Sequence, residues 1–79
     1  MDIVVGSVVR AKAGRDRNGY FVVVGLDGGF AYIADGRSRK VEKPKKKNLI
    51  HLEPTRCILN VGTASNREVK KLLNQFKGI

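Results

Sequence analysis

The sequence predicts a mainly β domain, a small five-stranded barrel with one α-helix at its C-terminal end. Three observations lead there. Short Val-, Ile- and aromatic-rich runs, separated by Gly-, Asp- and Asn-rich turns, fill about 50 residues. A capping box and a helical apolar stripe follow them. The chain has only 79 residues, enough for one domain near the lower limit for folding without a staple, so its sheet must curl to enclose a core.

The first strand is expected over 7–12, with Val9 and Ala11 alternating against Val8, Arg10 and Lys12. Residues 13–19 form a polar turn rich in residues that tolerate left-handed backbone. The second strand, 20–26, is apolar on both parities, as for a strand covered on two sides. Asp27-Gly28-Gly29 reverses the chain into a third strand, 30–34. Asp35-Gly36 turns it again toward a short fourth strand at 39–42, with Val41 inward and Pro44 as terminator. The fifth strand is expected at 48–53. The barrel thus spans 1–54, and 55–64 is an irregular connection whose Cys57-Ile58-Leu59 lies against it.

The segment 65–79 is the helical end. Ser65-Asn66-Arg67-Glu68 is a capping box, in which Ser65 and Glu68 satisfy free amides at the helix start. Val69, Leu72, Leu73 and Phe76 recur at i, i+3, i+4 and i+7, an apolar stripe that packs on the barrel. Arg67, Lys70, Lys71 and Lys77 face outward, and Gly78 is the expected stop.

Charge is the most uneven property of the chain. Seven of the eleven residues from Arg37 to Lys47 are basic, and the tract holds +6 of the formal net charge of +9. Residues 1–36 sum to zero and 48–79 carry +3. Such a block repels itself unless an anion meets it, and a phosphate backbone is the commonest such partner. A solvated basic loop without a partner is the alternative.

Little in the chain points to catalysis, and a non-enzyme without a cofactor is expected. One His and one Cys do not make a zinc site within one subunit. Cys57 reads as a buried or half-buried structural thiol, and His51 as a strand histidine or an RNA contact. Gly14 and Gly19 are spaced like phosphate-loop glycines, but Tyr20-Phe21 stand where Lys-Ser/Thr is required. Asp16, Asp27 and Asp35 each lie in a turn, where bonding to local backbone explains them. A single cysteine, an acidic second residue and no apolar run of membrane-spanning length predict a soluble cytoplasmic protein.

Residues 6–18, Gly-Ser-Val-Val-Arg-Ala-Lys-Ala-Gly-Arg-Asp-Arg-Asn, resemble the KOW motif, a strand–loop–strand unit of ribosomal proteins and NusG-type elongation factors. With Ala31–Gly36, the basic tract and Leu49–Leu52, the order is similar to KOW proteins of the archaeal and eukaryotic large ribosomal subunit and their small bacterial relatives. The resemblance covers roughly residues 4–54. It departs at Asn18, where the family usually has glycine; Asn is the residue that best replaces glycine in left-handed backbone. The resemblance implies an SH3-like barrel that binds structured RNA, most often ribosomal RNA.

The RNA-binding candidates are Lys12, Arg15, Arg17, Arg37, Arg39, Lys40, Lys43, Lys45, Lys46 and Lys47 for phosphates, with His51 beside them. Tyr20, next to the basic turn, is the candidate for stacking on a base. The expected partner is ribosomal RNA, with the large subunit as its setting, no membrane, and a monomer when free. A protein-docking module of the transcription or translation machinery, using the barrel or helix surface, is the second reading. Non-specific association with duplex DNA or anionic surfaces is the third.

Overall fold

The computed structural model describes residues 2–60, 62 and 64–77. It contains β1 (Ser7–Ala11), β2 (Tyr20–Asp27), β3 (Phe30–Ala34), β4 (Lys45–Asn48), a 3-10 turn (Leu49–His51), β5 (Leu52–Ile58) and α1 (Asn66–Lys77). The strands form one antiparallel sheet in the order β4-β3-β2-β1-β5. The molecule is therefore mainly β with one C-terminal helix, a small barrel-like domain as the sequence predicts. Irregular register between Val23 and Gly25 in β2, and between Ser7 and Val9 in β1, marks where the strands bend.

Two apolar clusters share β1 and β2 between them. Val9, Ala11, Phe21, Val23, Ala31, Ile33 and Leu52 fill the concave interior. Val8 and Val22 point the other way and meet Val69 and Leu73 of α1, with Tyr20, Val24, Val41, Cys57, Leu59 and Phe76 around them. The two-sided apolarity of 20–26 has this cause: one face lines the barrel and the other receives the helix. Val69 and Leu73 are fully enclosed, and each such burial is worth about 1.5–3 kcal/mol. The capping box forms as read, with Glu68 Oε1 accepting from the Ser65 amide and hydroxyl and Ser65 Oγ accepting from Glu68 N, each at 3.2 Å. The expected stop at Gly78 lies outside the described residues.

The fourth and fifth strands differ from expectation. Residues 39–42 are not a strand, and β4 begins only after Pro44. The reason is local capture of the amides a strand would need. Asp35 Oδ1 accepts from the amides of Arg37 and Arg39, both at 2.9 Å, and Asn66 Oδ1 accepts from Val41 N at 2.7 Å. Val41 packs toward the helix-side cluster as a result. Residues 49–51 form the 3-10 turn, its amide at Ile50 capped by Asn48 Oδ1. The last strand runs through Pro54 to Ile58, so the sheet extends past 54 into the segment read as irregular. Proline is tolerated there because β5 bonds to β1 alone and has a free edge.

Candidate nucleic-acid interface

The basic tract is divided by the pleat of β4. Lys45 and Lys47 stand opposite Ile33 and Ala31, which face the barrel interior, while Lys46 stands opposite Tyr32 on the other face. Successive strand residues point to opposite sides, so three adjacent lysines have two different fates. The Lys47 stem is buried. Its ammonium reaches the barrel end and donates to the Ala13 carbonyl at 3.0 Å, a lysine laying its methylenes along a core and its charge at the rim.

Asp16 organises that rim. Its carboxylate accepts from Lys45 Nζ at 2.9 Å and Arg39 Nη2 at 3.4 Å, with Lys47 Nζ at 3.9 Å. The side chain of Asp16 is 13% exposed. Partial burial pushes its pKa up, but the Lys45 hydrogen bond and the charges of Arg39, Lys45 and Lys47 outweigh that and hold it below the ordinary value of 3.8. Asp16 was expected to serve only its own turn. Its backbone carbonyl does accept from Gly19 N at 2.9 Å, yet its carboxylate ties the β1–β2 loop to β4 and the β3–β4 loop. Arg39 Nε is buried and has no acceptor among the described residues.

The clamp brings the loops of one barrel end together. Asn18 takes the left-handed conformation (φ 69°), and its side chain accepts from Arg10 Nη1 at 2.8 Å. Lys12 follows β1 directly, its amide bonded to the His51 carbonyl at 2.8 Å. Lys12, Arg15, Arg17, Arg37, Lys40, Lys43 and His51 are exposed on these segments. Among the described residues, none of those six cations has an acidic partner within ion-pair distance. His51 thus stands at the end of the 3-10 turn rather than in a strand.

Two candidates occupy other environments. Tyr20 is half-buried against Phe76 of α1, ring centroids 5.0 Å apart and edge-on at 62°, so its ring is committed to helix packing. Lys46 lies 4.7 Å above the Phe30 ring and 3.9 Å from Asp27, away from the Asp16 cluster. Exposed Arg56 on β5 and Arg67, Lys70 and Lys71 on α1 also carry charge, outside the tract where the sequence concentrates it. Cys57 is half-buried in the helix-side cluster.

Among the described residues no group of His, Cys, Asp or Glu is arranged to hold a metal ion. No described helix is long and apolar enough to cross a membrane. No protein-family model and no curated protein matches the sequence.

Proposed function

We propose that this protein binds structured RNA, and ribosomal RNA in particular, through the loops at the Asp16 end of the barrel. One observation carries the reading. Asp16 joins the two basic loops, while Lys12, Arg15, Arg17, Arg37, Lys40 and Lys43 on and beside those loops are exposed and, among the described residues, have no acidic partner within ion-pair distance. Exposed cations on loops tied to one another by an ion-pair hub suit phosphates held in a fixed shape. Arginines on the shorter loop add forked hydrogen bonds, and lysines on the longer one act as point charges. With Tyr20 packed on the helix, backbone and shape recognition dominate over base readout. The similarity of residues 6–18 to the KOW motif supports ribosomal RNA within that class.

The test is affinity for a ribosomal RNA hairpin across a salt series. The log–log slope should be steep, near −0.7 to −0.9 per phosphate contacted. Sedimentation with large-subunit particles at moderate salt is the expected companion result. Equal affinity for duplex DNA and the hairpin at every salt concentration would overturn the RNA reading.

A further inference from the structure

We infer that the RNA surface does not end at the loops but continues over α1, where Arg67, Lys70 and Lys71 contact phosphates of the same RNA. This rests on the reading that the loops bind RNA. The β3–β4 loop and the start of α1 are one built unit. The Asn66 side chain accepts from Val41 N at 2.7 Å and donates to both Glu42 oxygens at 3.0 and 2.7 Å. Gly36, at φ 74°, is pressed so closely against the Asn66 carbonyl and Lys70 amide that any side chain there would collide with helix backbone. Arg37, Lys40 and Lys43 therefore lie on a loop fastened to the helix that carries Arg67 and Lys70.

The helix charges are also arranged against helix stability. Arg67 and Lys71 are four residues apart, and Arg67 and Lys70 three, so like charges neighbour each other on an exposed surface. Arg67 lies in the first turn, the end where cations oppose the helix dipole. The one acid of α1, Glu68, is taken by the cap. None of the three cations has an ion-pair partner among the described residues. Together with Asn74 and Gln75 they line a shallow open depression. Cations placed this way gain from an external polyanion and from nothing within the described fold. Adjacency to the loop cations identifies that polyanion as the RNA already bound there.

The experiment compares three full-length proteins on one ribosomal RNA hairpin across a salt series: wild type, R67A/K70A/K71A, and R15A/R17A/R37A. All six substituted positions are exposed, so amide NMR spectra should keep the wild-type core signals. The helix variant should bind with a log–log slope shallower by about 2–3, at roughly 0.7–0.9 per phosphate contact. An unchanged slope and affinity in that variant, with weakened binding in the loop variant, would overturn the helix inference and leave the loop reading standing. Unchanged binding in both variants would overturn both.

Discussion

Two sets of cations, drawn from the β1–β2 loop, the β3–β4 loop and β4, do different things in this molecule. Arg39, Lys45 and Lys47 turn toward Asp16 and hold two loops and a strand together. Arg15, Arg17, Arg37, Lys40 and Lys43 lie on the two loops so joined and are exposed. In composition the two sets are alike, all lysine or arginine in one charged end of the protein. Burial and pairing separate them. A cation whose charge is matched inside the fold contributes to stability and little to an external field, whereas an unmatched exposed cation does the reverse. The density of positive charge in 37–47 is therefore only partly a property of the surface.

The sharpest way to break this comparison is to remove the exposed set. R15A/R17A/R37A/K40A/K43A should lose on the order of 100-fold or more in RNA affinity at physiological salt. Each substitution should change stability by no more than about 0.5 kcal/mol. A large drop in the urea midpoint would show that the two sets are not separate.

Removing the hub should do the opposite. Asp16→Ala leaves Lys47 buried with no carboxylate and frees Arg39 and Lys45. Breaking a fully buried pair costs about 3–5 kcal/mol, and since two of the three partners are about a third exposed, roughly 2–3 kcal/mol is expected. For a domain of this size, whose total stability is on the order of 4–12 kcal/mol, that is a large share. Urea denaturation measures it. Replacing Lys45, Lys46 and Lys47 together should likewise destabilise the fold, so that triple change does not isolate an interface.

Acid sharpens the same point without mutation. The Asp16 pKa is lowered in the folded state, so its contribution is present above the ordinary value of 3.8 and is lost as pH falls through the lower folded value. Glu42 adds in the same direction, its pKa lowered chiefly by the hydrogen bond from Asn66. Stability should fall as pH drops below about 4, and Asp16→Asn should flatten that limb while lowering stability at pH 7. An acid limb unchanged in D16N would remove Asp16 from the linkage.

Lys46 is the smallest expected effect. Its cation–π contact with Phe30 is exposed and its 3.9 Å pair with Asp27 is solvated, so Lys46→Ala should cost about 0.5–1 kcal/mol at most. A loss as large as that of D16A would mean that the pleat does not separate these lysines.

Much of this architecture was legible residue by residue. The β2–β3 hairpin follows from Asp27-Gly28-Gly29 between two apolar runs, and α1 from the Ser65–Glu68 box and its stripe. The fourth strand was not, because Arg39–Glu42 alternates as a strand would while its amides are taken by Asp35 and by Asn66, 25 residues away from Val41. Tyr20 beside a basic turn is a stacking candidate from the sequence, and only the tertiary structure shows its ring packed edge-on against Phe76. Asp16 looks like a turn residue in the sequence because its partners lie 23, 29 and 31 positions further along the chain.

By itself, then, the sequence determined what short-range physics governs: strand and helix periods, turn chemistry, the helix cap and where positive charge is concentrated. The tertiary structure decided which of those charges meet a carboxylate and which meet solvent. The physical reason is the pleat together with long-range pairing. A one-residue change in where β4 begins exchanges inward and outward lysines, and that start depends on amides captured by residues distant in the chain.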